Sequence, residues 1–100
     1  MNRRTKALDI SRKVKEAVWE RDGGHCVLCG NPNAAPNAHY IPRSQGGLGI
    51  EENVVTLCPA CHDTYDNSAS RWAIRDELRE YLQGKYPRWD ETKLTYRKGM

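Results

Sequence analysis

Apolar residues first recur with helical spacing near the start of this 100-residue chain. The pattern predicts a helix over residues 12–22, because its apolar positions fall on one face. Ser11 is placed to cap the first turn, and the glycines at 23–24 end the helix. Residues 1–10 before it are expected to form a frayed or accessory arm. The apolar face consists of Val14, Ala17, Val18 and Trp19.

Two further helices are predicted in the second half of the chain. Pro59 suits the first position of a helix that runs to about Asn67. A longer helix is predicted over about 69–84, ended by Gly84 and Pro87. Its start can be capped by Asn67, Ser68 or Ser70. Its apolar stripe is made of Trp72, Leu78, Tyr81 and Leu82.

Short β-prone segments lie between the predicted helices. Residues 39–41 form the first predicted strand, and residues 54–57 (Val-Val-Thr-Leu) form the second. Residues 25–37 have the composition of loops and turns, and residues 44–49 contain three glycines, which predicts a flexible loop. The polar tail from 88 to 100 is assigned no element.

The composition limits how much core this chain can build. It contains no Phe, and its mean hydropathy is −0.85. A chain of this length forms one domain, whose core must come from Val, Leu, Ile, Tyr and Trp. Small domains with modest cores often rely on a metal or on disulfides for stability. The sequence therefore suggests such a covalent or metal staple.

The charge pattern is compatible with nucleic acid. The chain has 16 basic and 13 acidic residues, a net charge of +3, which an ordinary solvated surface also explains. Basic residues dominate the N-terminal segment, where they can track phosphates. They are Arg3, Arg4, Lys6, Arg12, Lys13 and Lys15, against the single Asp9. No segment resembles a membrane span or a secretory signal, so we expect a cytoplasmic protein with no membrane partner.

Two Cys-x2-Cys pairs are the most specific chemical feature. Cys26 and Cys29 form the first pair, and Cys58 and Cys61 form the second. Each pair sits at a turn, so the four thiolates can surround one Zn²⁺ tetrahedrally. Four protein ligands leave no open position, which predicts a structural zinc ion. The alternatives are four reduced core cysteines or two disulfides.

Three other residues suggest a second, open metal site. His62 follows Cys61 at the start of the predicted helix, and Asp66 is four residues further, on the same helical face. An imidazole and a carboxylate can hold one divalent cation and leave room for water and phosphate. His39 lies between the two cysteine pairs. The alternative is a hydrogen-bonded structural histidine and a solvated helix face.

These residues lie in an ordered pattern that closely resembles the HNH endonuclease family. The pattern reads Cys-Val-Leu-Cys-Gly at 26–30, Ala-His-Tyr-Ile-Pro-Arg-Ser-Gln-Gly-Gly at 38–47 and Glu-Asn-Val-Val-Thr-Leu-Cys-Pro-Ala-Cys-His at 52–62. The resemblance spans residues 26–67, and the lead-in Glu-Arg-Asp-Gly at 20–23 is also similar. The chain looks most like the small HNH proteins of phages and prophages.

The resemblance implies an α+β fold, in which a two-stranded hairpin and a helix form a zinc-stapled ββα-metal (His-Me finger) unit with flanking N- and C-terminal helices. The expected organisation is a single HNH nuclease domain over 1–100. It comprises a basic arm at 1–10, a zinc-clasped core with its lead-in helix at 11–67, and a C-terminal helix and tail at 68–100.

The resemblance also implies roles for individual residues. His39 would be the general base, since a reference pKa of about 6.5 leaves it largely neutral near pH 7. Asn53 would be structural, with its amide tying the loop 43–52 to backbone groups and so orienting His39. His62 would ligate a catalytic divalent cation (Mg²⁺, Mn²⁺ or Ni²⁺), and Asp66 fits a second ligand position.

One position departs from the family pattern. Many relatives carry Asp or His directly before the general base, where this chain has Ala38. The cation would then depend on His62, Asp66 and waters, or would recruit a further ligand. The residues considered for that role are Asn37, Glu51 and Glu52. Two other polar residues are placed near the motif: Arg43 as a phosphate contact or a solvated loop residue, and His25 as a loop residue rather than a ligand.

The implied activity is metal-dependent hydrolysis of DNA phosphodiester bonds, leaving 5′-phosphate and 3′-hydroxyl ends. Contacts would be made mainly with the sugar-phosphate backbone, which gives little sequence discrimination. The arginines of the helix at 71–79 can add phosphate contacts or form a salt-bridged surface. A phage packaging or recombination partner is expected by the same resemblance. The alternative function is a non-catalytic zinc module that binds DNA or a protein and has a degenerate HNH site.

Overall fold

Helices α1 (Arg3–Leu8) and α2 (Arg12–Arg21) open the fold in the computed structural model, which describes residues 3–97. The Ser11 hydroxyl accepts a hydrogen bond from the amide of Val14 at 3.2 Å, so the predicted cap of α2 is confirmed. Trp19 is 38% exposed and adds little to the buried face. The predictions for residues 1, 2 and 98–100 lie outside the described residues.

The prediction of a frayed N-terminal arm is wrong over its described part. The side chain of Leu8 is 2% exposed, and the amide of Gly49 donates to the carbonyl of Ala7 at 3.0 Å. A Cβ atom on Gly49 would lie 2.1 Å from the carbonyl oxygen of Asp9, so only glycine permits this approach. Helix α1 is therefore docked against the loop before the second strand.

A two-stranded antiparallel hairpin forms the centre of the fold, with β1 at Ala35–His39 and β2 at Val54–Leu57. Ala35 pairs with Leu57 and His39 with Val54, with an irregularity between positions 35 and 38. Strand β2 agrees with its prediction. The prediction of a first strand at 39–41, and of a loop through 37, is wrong by four residues at its start.

Strand β1 ends at His39 because the chain beyond it bonds to the side chain of Asn53 instead of the backbone of β2. The amide of Tyr40 still donates to the Asn53 carbonyl at 2.7 Å. The amide of Ile41 instead donates to Oδ1 of the Asn53 side chain at 2.8 Å. A short 3₁₀ turn, Arg43–Gln45, follows.

The predicted flexible loop at 44–49 is also wrong, since its glycines are buried. The amide of Leu48 donates to the carbonyl of Leu94 at 2.8 Å, and the amide of Tyr96 donates to the carbonyl of Gly46 at 2.7 Å. A Cβ atom on Gly47 would lie 1.6 Å from the carbonyl oxygen of Ile41. The glycines allow the backbone to pack closely here, and the tail covers the loop.

Helices α3 (Pro59–Asn67) and α4 (Arg71–Lys85) follow the hairpin. The bounds of α3 agree with the prediction, and Pro59 occupies its first turn. Helix α4 begins two residues later than predicted, and Ser70 at its N-cap makes no side-chain capping bond. Leu78 and Leu82 are fully buried, but Trp72 is 67% exposed, so its place in the apolar stripe was predicted wrongly.

A partly buried ion pair joins α2 to the hairpin. Nε of Arg21 lies 2.8 Å from Oδ1 of Asp22, and Nη2 of Arg21 donates to the Val54 carbonyl at 2.7 Å. Burial opposes ionisation of Asp22, but the bonds from Arg21 and from the Tyr81 hydroxyl hold its pKa below the ordinary value. The second Asp22 oxygen accepts the amide of Thr56 at 2.8 Å, so the pair fixes where β2 lies.

The observed elements confirm the expected α+β class, a hairpin followed by a helix with further helices on both sides. The core includes several fully buried side chains that come from the hairpin, α3 and α4: Tyr40, Val55, Leu57, Tyr65, Leu78 and Leu82. Among residues 3–97, the helices are all too short or too polar to cross a lipid bilayer.

Candidate active site and metal centre

The four cysteines come together where the loop after α2 meets the start of α3. Their Sγ atoms all lie within 4.8 Å of one another, and the sulfurs of Cys29 and Cys58 are 3.6 Å apart. None of the four is in a disulfide, which excludes that alternative for this structure. Cys58 is the N-cap of α3, and its sulfur accepts the amide of Cys61 at 3.4 Å.

The donor set and the spacing suit a structural zinc ion. Tetrahedral Zn–S bonds of about 2.3 Å place neighbouring sulfurs about 3.8 Å apart, close to the observed separation. Burial opposes ionisation of Cys26, but amides of Cys58, Cys29 and Leu28 lower its pKa to about 6. Burial and the neighbouring thiols raise the pKa of Cys61. The surroundings thus favour the thiolate form of Cys26 and oppose that of Cys61. A divalent cation bound among the sulfurs would favour the thiolate form of all four.

A cleft of about 760 Å³ lies beside this cluster and contains the candidate catalytic residues. His39, at the end of β1, shares the cleft with His62 and Asp66 from α3. The sequence-based hypothesis required this common cleft. The other lining residues are Asp9, Ile10, Lys15, Asn37, Pro42, Arg43, Ser44 and Arg71.

His39 is held in one tautomer by the backbone of the N-terminal segment. Its Nε2 atom lies 2.9 Å from the carbonyl oxygen of Leu8. A carbonyl oxygen only accepts hydrogen bonds, so Nε2 carries the proton and Nδ1 keeps its lone pair. Burial lowers the pKa of His39 and outweighs the hydrogen bond to the Leu8 carbonyl, which raises it, while the nearby Arg43 adds to the lowering. The imidazole is therefore kept neutral with Nδ1 unprotonated.

Asn53 is fully buried and ties the loop between the strands together. Its Oδ1 accepts the amide of Ile41 at 2.8 Å, and its Nδ2 donates to the carbonyls of Ile41 and Leu48 at 3.2 Å and 2.8 Å. These hydrogen bonds of the Asn53 side chain go to Ile41 and Leu48 and not to His39. The side chain therefore fixes Ile41, two residues after His39 at the end of β1.

His62 and Asp66 contact each other across one turn of α3. Nε2 of His62 lies 3.2 Å from Oδ2 of Asp66, and their side chains are 30% and 45% exposed. An imidazole nitrogen and a carboxylate oxygen this close, and open to solvent, can both ligate one cation. The residues present therefore fit a divalent metal with mixed N and O ligands.

The position before His39 does not contribute to the cleft. Ala38 is fully buried in the core, on the opposite side of the strand from His39. Asn37, two residues from His39, does line the cleft. Glu51 and Glu52 lie elsewhere, where Glu51 accepts the Tyr86 hydroxyl and Glu52 lines a second pocket. Of the candidates to supplement His62 and Asp66, only Asn37 is brought into the cleft.

Arg43 and His25 have different surroundings. Arg43 lines the cleft, where its Nη1 lies 2.6 Å from Oδ1 of Asp9. His25 is exposed, and its Nδ1 lies 3.1 Å from the carbonyl oxygen of Cys26, so it belongs to the loop of the cysteine cluster.

Sequence reasoning missed the contribution of the N-terminal segment to this site. The carbonyl of Leu8 has no side-chain signature, although the apolar Ala7 and Leu8 within a basic segment were a usable sign of docking. The arginines of the helix at 71–79 were expected either to contact phosphate or to form a salt-bridged surface, and Arg71 lines the cleft.

Comparison with known proteins agrees with this geometry. A family model described as HNH endonuclease matches residues 26–68. The chain is also 38% identical over 55 residues to Anaredoxin from Nostoc sp. (strain PCC 7120 / SAG 25.82 / UTEX 2576), an alignment covering 54% of this chain and 72% of that protein. The matched family region contains the four cysteines and the candidate catalytic and metal-ligating residues of the cleft: His39, His62 and Asp66. This chain belongs to the HNH endonuclease family.

Proposed function

We propose that this protein is a metal-dependent endonuclease that hydrolyses phosphodiester bonds in DNA. One observation carries the proposal: His39, with Nδ1 free to accept a proton, shares a cleft with the His62–Asp66 pair. A base facing a divalent-cation site is the arrangement that phosphodiester hydrolysis requires. Family membership supports the same activity.

In this mechanism His39 is the general base. Nδ1 of His39 takes a proton from water as the water oxygen forms a bond to phosphorus and the bond from phosphorus to the 3′ oxygen breaks. The departing 3′ oxygen takes up a proton from solvent water, His39 returns its proton to solvent, and the products are a 5′-phosphate and a 3′-hydroxyl. The Leu8 carbonyl keeps the imidazole in the required tautomer throughout.

His62 and Asp66 would hold the catalytic cation, for which Mg²⁺, Mn²⁺ and Ni²⁺ are the candidates, with Asn37 as the supplementary oxygen donor. When bound there, the cation supplies charge neutralisation at the phosphate and stabilises the departing oxygen. Cys26, Cys29, Cys58 and Cys61 would hold a separate structural Zn²⁺ that anchors the start of α3.

Basic residues around the cleft support DNA as the substrate. Lys15, Arg43 and Arg71 line it, and further basic residues of α1 lie on the exposed surface. Backbone contacts of this type position a strand without reading its sequence. The resemblance to small phage proteins leads us to propose a packaging or recombination partner and a cytoplasmic location.

A second candidate function is a zinc-stabilised DNA- or protein-binding module without catalysis. The burial of Ala38 in the core favours it, because the cation then has few protein ligands. The neutral, oriented His39 favours hydrolysis, since a binding module has no need for a fixed tautomer.

A plasmid-nicking assay distinguishes the two functions. We expect the wild-type protein to nick supercoiled plasmid only when Mg²⁺, Mn²⁺ or Ni²⁺ is added, and His39→Ala to lose this activity. His25→Ala is the matched control, since it removes an exposed histidine outside the cleft and should nick like wild type. Equal, metal-independent cleavage by wild type and His39→Ala would contradict the proposal.

A further inference from the structure

Three arginines form a row along one face of α4, because Arg71, Arg75 and Arg79 are spaced four residues apart. Two of them are neutralised by carboxylates. Nη2 of Arg75 lies 3.6 Å and Nε of Arg79 lies 3.4 Å from the same oxygen of Glu91. Arg79 also lies 3.3 Å from Asp76. The row thus has paired charges at its centre and at its C-terminal end.

Arg71, at the start of the row, has no such partner. Within residues 3–97 no carboxylate lies at ion-pair distance from its guanidinium, and its Nη2 atom is buried without a hydrogen-bond acceptor. The guanidinium lies over the ring of Tyr65, with Cζ 5.2 Å from the ring centroid. An aromatic ring does not neutralise the guanidinium charge, so an anion that enters the cleft lined by Arg71 can supply the missing partner.

The two acidic residues that line the cleft, Asp9 and Asp66, each contact a residue other than Arg71. Asp9 pairs with Arg43 at 2.6 Å, and Asp66 contacts His62 at 3.2 Å. Arg71 lines the same cleft as both pairs. An anion that enters the cleft therefore meets an uncompensated, aromatic-backed guanidinium beside the proposed cation site.

We infer that Arg71 is a phosphate-binding residue, whose guanidinium donates from the cleft wall to a non-bridging oxygen of the DNA backbone. The inference rests on the proposed function for its substrate class. A guanidinium matches the paired oxygens of phosphate better than an ammonium does. Tyr65 is fully buried and its hydroxyl donates to the Tyr40 carbonyl at 2.6 Å, so the aromatic ring beneath the guanidinium is fixed before DNA arrives.

The test is binding of a short DNA duplex to zinc-loaded protein without an added catalytic cation, measured by fluorescence anisotropy over a series of salt concentrations. We expect Arg71→Gln to raise Kd about ten- to a hundredfold. It should also reduce the slope of log K against log salt by about 0.9, the loss of one phosphate contact. Arg71→Lys should keep the slope and bind with intermediate affinity.

Arg88→Gln is the matched control, because Arg88 is exposed and lines a pocket that shares no residue with the cleft. It should bind like wild type. Arg71→Met keeps the aliphatic stem over Tyr65 and replaces Arg71→Gln if the latter fails to show a native melting transition. Wild-type Kd and slope in the charge-removing Arg71 variant, or equal weakening by Arg88→Gln, would overturn the inference.

The same variants separate this inference from the proposed hydrolysis. If wild type nicks plasmid and the charge-removing Arg71 variant binds and nicks equally well, Arg71 has no phosphate role and hydrolysis stands. If wild type fails to nick with every cation, yet that variant still binds DNA more weakly with a lower salt slope, the phosphate role stands and hydrolysis fails.

Discussion

The carbonyl oxygen of Leu8 lies 2.9 Å from Nε2 of His39, so the backbone of the N-terminal segment orients the proposed general base. The contact joins residues 31 positions apart and depends on the buried Leu8 side chain, which holds the segment against the core. Docking also buries the imidazole, which is the main reason that its pKa is lowered.

Leu8→Ala should therefore change the pH dependence of nicking. Loosening the segment lets water reach His39, which raises its pKa, and weakens the Leu8 carbonyl bond, which lowers it. Because burial is the larger cause, the pKa rises toward the ordinary value of about 6.5. In the proposed mechanism the neutral imidazole is the active form, so kcat/KM should fall as pH falls through this pKa. The acid limb of the pH profile should thus move to higher pH than in wild type, with lower activity on the plateau.

Leu94→Ala is the control, because Leu94 is equally buried but lies outside the cleft. Both variants should lose about 2–5 kcal/mol of stability. Only Leu8→Ala should move the acid limb, and an identical profile in the two variants would show that docking does not tune His39.

Gly49→Ala should prevent the N-terminal segment from docking. The new Cβ atom would lie 2.1 Å from the Asp9 carbonyl oxygen, and relieving that clash should cost about 1–3 kcal/mol in free energy of unfolding. Gly84→Ala in α4 meets no atom within 4 Å and should stabilise the protein by about 0.5–1 kcal/mol. Urea unfolding of the two variants measures the difference. A neutral Gly49→Ala would contradict the close approach.

Asn53→Ala should destabilise the loop between the strands. The change leaves the amide and carbonyl of Ile41 and the carbonyl of Leu48 without their buried partner, at a cost of about 3 kcal/mol or more. Asn67→Ala removes only an exposed bond to Asp63 and should change stability by less than about 0.5 kcal/mol. Thermal unfolding checks both, and equal effects would refute the structural role of Asn53.

Cys58→Ser should abolish folding rather than slow catalysis. Structural zinc contributes about 10–16 kcal/mol of apparent binding free energy at pH 7, against a net stability of about 5–15 kcal/mol for a typical domain. Serine can cap α3 as the sulfur does but is a poor zinc ligand. Zinc content by mass spectrometry and circular dichroism test the variant, and chelation of wild type should reproduce its effect. A Cys58→Ser protein with bound zinc and a native melting transition would be decisive against the structural-zinc proposal.

The sequence correctly predicted the starts of two helices, because the residues that begin a helix act within its first turn. Ser11 caps α2 and Pro59 begins α3 because each acts within one turn. The start of β1 was mispredicted because strand pairing is a long-range property, here between Ala35 and Leu57. Trp72 was assigned to the interior by its periodicity in the helix. Periodicity does not show whether another element covers that end of the helix, and Trp72 is exposed.

The four cysteines and the His62–Asp66 pair could be chosen from spacing, since metal ligands must be particular residue types. The role of His39 was predicted from the resemblance to HNH endonucleases. The contribution of Leu8 could not be predicted, because it is made by the backbone. The sequence also did not show which arginines of α4 form ion pairs. Arg75 and Arg79 pair with Glu91, which lies in a tail for which no element was predicted.

A main-chain carbonyl is the same in every residue, so natural variation at position 8 can exchange one apolar side chain for another while the imidazole of His39 keeps its partner. The evolutionary trace of this contact should appear instead at Gly49, the residue whose missing side chain admits the segment. In this protein a glycine with no side chain to take part in chemistry is a better marker of the orientation of the proposed general base than the residue that touches it.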